Sequence, residues 1–396
     1  MKVGILTFHQ TTNYGAMLQA YGLWRAVEEA GHYAEIIDYR PRASTAEYLK
    51  CAVVNRYPLA RISQYLKLMP FLKKHARLSP RTFYTRNQLD TIADDYDLVI
   101  AGSDEIWNLE KPYIQFDPSY FLDFVNPPVR LASYAASFGE MTDLKAYPEA
   151  LGYLFDRFRQ IGVRDSNSAR HVEKCGKQAV KVLDPTFLAG YEKLAVMPGI
   201  KEPYLLLYCY KLTPGQNAEV VRLARQRGLR VVSVGNPNES ADINRIDASV
   251  EEWLGLYQNA SYVITSYYHG MIFAMLNRKS FNVFRKPKKT VKINDLLGEL
   301  GLESRVVDEQ RPLEAQAEEI DYGPVFEKIE DMRIDSQGFL QDLFEAINPN
   351  EVAFPAAAQP AVPGFRGAGH AKKSPSMPAA ANSIHPVSSL QNFSKK

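Results

Sequence analysis

The run KVGILTF (2–8) is apolar without alternation; the polar loop HQTTNYG follows it, and then AMLQAYGLWRAVEEAG. A strand with one wet face alternates polar and apolar residues, whereas a strand covered on both faces does not. After the loop, Met17, Leu18, Tyr21, Leu23, Trp24 and Val27 recur at helical spacing, and Gly31 supplies the stop. YAEIIDY (33–39) is again a strand. Strand, helix and strand in this order imply a parallel pair joined by a crossover, so the expected class is α/β.

The same grammar continues. Strands are expected at YDLVIAG (96–102), RLASYAAS (130–137), QIGVRD (160–165) and, more weakly, AVKVLDP (179–185). A second series starts with YLLLYCY (204–210) and a helix near 215–227, followed by LRVVSVG (229–235). The helix SVEEWLGLYQNA, the strand SYVIT, a turn into another helix and the strand SFNVFR (280–285) complete it. A chain of 396 residues exceeds one ordinary core. The expected layout is therefore two Rossmann-like lobes, 1–195 and 196–348, joined near 190–203 and facing a cleft. A helix over 323–347 closes the second lobe, and the Pro-, Ala-, Ser- and Gly-rich stretch 349–396 is expected to be a disordered tail. In such sheets ligands bind beyond the carboxyl ends of the strands.

Composition excludes several classes. A net charge of +2 gives no general pull toward nucleic acid. Three cysteines, Cys51, Cys175 and Cys209, lie far apart with no C-x-x-C pair, which suits a reducing cytoplasm and suggests no disulfide framework. The start MKVGILTFHQ is expected to be no signal peptide, and no apolar run reaches membrane-spanning length. One segment stands out: from Tyr48 to Leu89 there is no acidic residue. Arg56, Arg61, Lys67, Lys73, Lys74 and Arg77 there alternate with leucines, tyrosines and phenylalanine. Such a stretch lies on an anionic membrane surface, lines a groove for an anionic substrate, or is a solvated insertion with one face on the core.

The polar residues that interrupt the buried strand-to-helix turns are the candidate site. In SYVITSYYHGMIFAMLN (261–277), Ser266 is expected to cap the helix, which puts His269 in its first turn. Free N–H groups and the helix dipole make that end an anion site, and Gly270 would allow close approach. Anion binding and histidine protonation would then support each other. A core histidine tied to a carbonyl is the alternative. In HQTTNYGAM, Asn13 caps or donates, Tyr14 follows, and Gly15 permits a tight turn. In IAGSDEIWN, Ser103 and Asp104 end a buried strand; Asp104 is a base toward a hydroxyl or a cap. Arg164 ends another strand, as a two-pronged anion ligand or an ion pair with Asp165. There is no Walker motif, no G-x-G-x-x-G after the first strand, no H-E-x-x-H and no G-x-S-x-G. Hence no dinucleotide or metal site is expected.

Six stretches, GILTFHQTTNYGAMLQAYGL, LVIAGSDEIWN, SYAASFG, GVRDSNSARHVEKCG, VLDPTFL and ITSYYHGMIFAMLNRKSF, together resemble the polysaccharide pyruvyl transferase family over roughly residues 1–300. The resemblance implies a GT-B-like pair of lobes. It implies transfer of a pyruvyl group from phosphoenolpyruvate to a sugar of a surface or exopolysaccharide precursor, as a cyclic ketal, with no cofactor beyond that co-substrate. It makes His269 the phosphoenolpyruvate ligand and general acid and Arg164 the anion clamp. Asp104 becomes the base or orienting group for the acceptor hydroxyl, and Asn13, Tyr14 and Gly15 shape the acceptor side. Ser266 and Gly270 border the donor, Ser103 is a further substrate-binding residue, and Lys211, just past YLLLYCY, would face the same cleft. Tyr267 and Tyr268 depart from the smaller or more polar pair common in the family, so they would stack on a sugar or narrow the pocket. Acceptors of this kind are commonly lipid-linked oligosaccharides at the inner membrane face, which would make 48–89 a peripheral membrane element of a cytoplasmic enzyme. A nucleotide-sugar glycosyltransferase with the same lobes, and a catalytically silent glycan-binding subunit, remain alternatives.

Overall fold

The computed structural model describes residues 1–53, 56–92, 94–110, 116–126, 128–145, 147–285 and 291–345; the stretch from 349 expected to be a tail lies outside them. The first series comprises β1 (Lys2–Leu6), α1 (Tyr14–Glu29), β2 (Tyr33–Ile36), α2 (Arg42–Val53), α3 (Pro58–Leu68), α4 (Phe71–His75) and α5 (Arg86–Leu89). It continues with β3 (Leu98–Ala101), β4 (Arg130–Ala136), α6 (Pro148–Phe155), β5 (Phe158–Val163), α7 (Ser166–Lys174) and β6 (Val180–Lys181). The second comprises β7 (Tyr204–Tyr208), α8 (Pro214–Gln226), β8 (Arg230–Val234), β9 (Ile243–Arg245), α9 (Val250–Asn259), β10 (Tyr262–Thr265), α10 (Tyr268–Leu276), β11 (Phe281–Val283), α11 (Val291–Leu300) and α12 (Tyr322–Glu345). The strand orders are β2-β1-β3-β4-β5-β6 and β11-β10-β7-β8-β9. Every pairing between these strands is parallel. α6, α7, β9 and α11 were not expected from the sequence; β9 is three residues long with two exposed, so it lacks the apolar signal.

Continuous apolar strands have two faces to bury, and both are buried. Val3, Ile5, Leu98, Ile100 and Tyr134 pack with Leu23 and Val27 of α1 on one face of the first sheet. Leu6, Val99, Ala101, Leu131 and Val163 pack on the other with Trp107, Phe121 and Phe155. In the second sheet Leu206, Tyr208, Val232 and Val263 face α9 and α10, while Leu205, Leu207, Val231 and Ile264 face α8. The lobes are not independent cores. Tyr14, Met17, Leu18 and Phe71 of the first series share one cluster with Trp253, Tyr257 and Phe273 of the second. The closing helix is shared as well: Tyr322, Val325 and Ile329 pack in the second lobe. Phe339, Leu340, Leu343 and Phe344, assigned by the sequence to the second lobe, pack instead in the first, Phe339 against Tyr134 of β4 and Gly162 of β5 and Phe344 against His32. The apolar positions along α12 place it against either lobe; only the packing shows that it crosses.

The acid-free segment divides its cations between the lobes: Arg77 and Arg86 pair within the first, with Glu28, Asp90 and Asp123, and Arg56, Lys67 and Lys74 reach acids of the second. Lys67 Nζ lies 2.9 Å from Asp247, Lys74 Nζ 3.1 Å from Glu251, and Arg56 2.9 Å from Glu239. His75 Nε2 sits 2.9 Å from the same Glu251 oxygen, and Ser63 donates to Asp247 at 2.7 Å. Leu59 and Leu66 of α3 point outward, 83% and 64% exposed, so the helix is amphipathic with its cations on the lobe-facing flank. No helix among the described residues is long and apolar enough to cross a membrane.

Burial raises the Glu251 carboxyl, but His75, Lys74 and Ser249 outweigh it and hold the group below its ordinary 4.5. A carboxyl depressed on folding contributes stability above its unfolded value, and the contribution is lost as pH falls through the folded one. Glu251→Gln should therefore flatten the decline in unfolding free energy between about pH 5 and pH 3, measured by urea denaturation. An unaltered acid limb would show that this clasp carries no stability.

Candidate functional site

The carboxyl ends of β1, β3, β7 and β10 open toward one another, and a cavity of about 350 Å³ lies between them. Its floor on one side is Thr11, Asn13, Tyr14, Asp104 and Glu105; on the other it is Ser266, Tyr267, Tyr268 and His269. Arg61 and Gln64 of α3 border one end, with Asn236, and Lys292 of α11 borders it too. Of the residues singled out from sequence, Asn13, Tyr14, Asp104, Ser266 and His269 thus line one cavity. Ser103, Gly15, Gly270 and Arg164 lie behind its wall, and Lys211 is exposed outside the lining.

His269 is the second residue of α10, which starts at Tyr268 with Tyr267 as its cap residue. Ser266 does not cap the helix as expected; its Oγ accepts from Tyr210 N at 2.9 Å, and Thr265 Oγ1 accepts from Tyr267 N at 3.1 Å. The glycines have different reasons from those first inferred. A Cβ on Gly15 would overlap His269 Nδ1, so Gly15 exists to let the imidazole lie on the start of α1, not to make a turn. A Cβ on Gly270 would overlap Thr265 Oγ1 and crowd Tyr208, so Gly270 seats the helix on its own sheet; it lies away from the cavity. Asn13 does cap α1, its Oδ1 accepting from Gly15 N at 3.0 Å. Tyr14 is a cross-lobe pin. Its hydroxyl donates to Ala248 O at 2.8 Å and accepts from Gln64 at 3.1 Å, and its ring stacks on Trp253 at 5.4 Å.

Beneath the cavity runs a line of alternating charge. Arg164 Nη2 lies 3.6 Å from Asp104 Oδ1, Arg164 Nη1 2.9 Å from Asp184 Oδ2, and His269 Nε2 3.3 Å from that same oxygen. The arginine does not pair with Asp165, which instead caps α7 and accepts from Ser137 Oγ at 2.6 Å. The Arg164 side chain has no exposure at all and lies under the Tyr268 ring, 4.9 Å from its centroid. Burial disfavours its charge, but Asp184 and Asp104 hold it protonated well above the ordinary arginine range. Burial likewise opposes ionisation of Asp184; His269, Arg164 and Thr186 more than offset it and keep the carboxyl well below the usual range. Ser103 Oγ points at Asp184 Oδ2 from 3.3 Å.

Asp104 has a left-handed backbone, φ 78°, a conformation an aspartate tolerates at some cost. Ser137 N and Ile106 N bond to its carbonyl at 3.0 and 2.8 Å and hold it there, turning the carboxylate to the cavity edge. The cavity's cations are engaged: Lys292 Nζ sits 2.7 Å from Glu105 Oε1 and 5.4 Å over the Tyr268 ring, and Arg61 donates to Gly235 O and Asn236 Oδ1 at 2.7 and 3.0 Å. Tyr267 stacks on Tyr208 at 4.4 Å and its hydroxyl accepts from Asn236, so one ring face is already covered. Lys292, Glu105, Asn236 and Asp184 were not singled out from sequence. Only Asp184 had a local signal, an Asp-Pro pair after a strand, and that signal reads as a turn.

A family model described as polysaccharide pyruvyl transferase matches residues 13–285. No curated protein matches the chain. Among solved structures it is similar to the UDP-GlcNAc 2-epimerase of Methanocaldococcus jannaschii, at 11% identity over 87% of this chain and 100% of that one, with a TM-score of 0.50. It is also similar to the Neisseria meningitidis UDP-GlcNAc 2-epimerase (9%, 88% and 95% covered, TM-score 0.44). A spinosyn rhamnosyltransferase is similar as well (12%, 87% and 96% covered, TM-score 0.40). At these identities the likeness concerns the fold alone, two facing α/β lobes of the GT-B type.

Proposed function

Because the chain belongs to the polysaccharide pyruvyl transferase family, we propose that it moves a pyruvyl group from phosphoenolpyruvate to two hydroxyls of a sugar in a glycan precursor, forming a cyclic ketal and releasing phosphate. The observation that carries this reading is the convergence of His269, Asp104 and Lys292 on one cavity, with the start of α10 in its wall. The first-turn N–H groups of α10 favour an anion electrostatically. Lys292 would exchange Glu105 for a phosphate or carboxylate oxygen, and Arg61 offers a second cation at the cavity end.

The chemistry needs one proton given and two taken. His269 protonates the methylene carbon, C2 becomes electrophilic, and a sugar hydroxyl adds to it while its proton passes to Asp104. The C2–O bond to phosphate breaks, a second hydroxyl attacks C2, and its proton restores the imidazolium. The proton held by Asp104 leaves with the phosphate, so the books of atoms and charge close. Arg164, having no exposure, acts in this scheme beneath the donor, as a fixed positive charge, and not as a direct clamp. Outward-facing Leu59 and Leu66 of the acid-free segment would meet a lipid-linked acceptor.

Incubation with phosphoenolpyruvate and a panel of glycosides should release inorganic phosphate only when an acceptor with two neighbouring hydroxyls is present, and phosphoenolpyruvate should raise the melting temperature. Stabilisation by UDP or GDP, with none by phosphoenolpyruvate, would turn the assignment to nucleotide-sugar transfer. Binding of a glycan with neither effect would mark a silent binding subunit.

A further inference from the structure

His269 has two ring nitrogens, and their surroundings differ. Nε2 is buried from solvent, lies 3.3 Å from Asp184 Oδ2, and makes no well-aligned hydrogen bond. The Nδ1 edge lies over Gly15 at the head of α1; unlike Nε2 it is not closed off from solvent, and the ring it belongs to lines the cavity. Asp184 is itself immobile: Thr186 N and Oγ1 hold Oδ1 at 3.1 and 2.7 Å, and Arg164 holds Oδ2 at 2.9 Å. Its side chain has no exposure and lies outside the cavity lining, so it cannot reach a ligand.

We propose that Asp184 is the positioning residue for His269: its carboxylate keeps a proton on Nε2, and thereby makes Nδ1 the nitrogen that exchanges a proton with whatever occupies the cavity. A carboxylate accepts and never donates, so a neutral imidazole beside it must present N–H there and a lone pair at the other nitrogen. Arg164 sets the carboxylate's own orientation, and Gly15 leaves the space the ring needs. The charged groups that bear on the ring are Asp184 and Arg164 behind it and Asp104, Glu105 and Lys292 around the same cavity. This assignment rests on the reading of His269 as the proton donor, but its primary test does not.

The test is nitrogen NMR of the full chain with labelled histidine, without substrate. His269 is assigned by its loss in His269→Asn. The neutral ring should show the Nε2–H tautomer, with Nδ1 at the unprotonated shift. A neutral ring carrying its proton on Nδ1 overturns the proposal outright, whatever reaction the enzyme performs. Asp184→Asn, which keeps the shape, should move the ring toward a mixture of tautomers. If the reaction is as proposed, kcat should fall by at least about tenfold, toward the roughly 10⁴-fold seen when a carboxylate that orients a catalytic histidine is neutralised. KM for phosphoenolpyruvate should stay within about threefold, since Asp184 does not touch the donor. An unaltered ring spectrum in folded Asp184→Asn overturns the proposal. An altered spectrum with no phosphate release by the wild type would leave the dyad standing and sink the pyruvyl-transfer reading instead.

Discussion

Arg164→Met should destabilise the protein by about 3–5 kcal/mol, the cost of removing one partner from a fully buried ion pair. The two side chains at the pair, Arg164 and Asp184, have no exposure, so the carboxylate cannot recover its lost partner from water. Methionine fills similar volume, so little of the loss would come from a cavity. What remains beside Asp184 is His269 at 3.3 Å and the hydroxyls of Ser103 and Thr186. The measurement is urea unfolding of both proteins at neutral pH. A loss below about 1 kcal/mol, typical of an exposed pair, would mean that the arginine opens to the cavity in solution and acts directly on an anion. That outcome would restore the anion-clamp role that the sequence suggested.

His269→Asn should lower kcat for phosphate release by about 10²–10⁴-fold, the span of a general acid's contribution. Asparagine retains a polar group against Asp184 but cannot hand over a proton near neutral pH. Because the ring packs on Gly15, the smaller side chain leaves a gap of only a few atoms, and the lobes keep Tyr14, Trp253 and the Lys67–Asp247 contact. Stability should therefore change much less than rate. Equal losses in kcat and kcat/KM place the effect in the transition state, whereas a rise in KM alone would reduce His269 to a donor-binding group. A variant with full activity would remove the imidazole from the chemistry.

The two experiments separate roles that a linear reading merges. Arg164 and His269 both stand where a strand or its following turn ends, and both look like ligands for an anion. The packing assigns them to different depths. The imidazole reaches the cavity; the guanidinium lies one layer below and acts on a carboxylate whose position it sets. The same depth argument moves Gly270 and Ser103 off the cavity surface and leaves Asn13 and Asp104 on it.

Much of this protein was legible before folding. Buried parallel strands cannot alternate, so KVGIL, LVIA, YLLLY and YVIT announced themselves, and a polar residue between such a strand and an apolar helix marked His269 and Asp104 as exceptions needing a reason. Those signals are local, reaching one or two turns along the chain. What the tertiary structure alone decided involves partners far apart in sequence. Lys67 and Lys74 meet Asp247 and Glu251, Lys292 meets Glu105, α12 crosses between lobes, and Asp184 comes to stand behind His269. Electrostatic attraction and apolar burial depend on distance through space, and no pattern within a short window encodes which distant charge will be near. The basic stretch 48–89 shows the difference: its charge was plain in the sequence, but whether it would meet lipid, ligand or another part of the same chain depended on where two lobes came to rest.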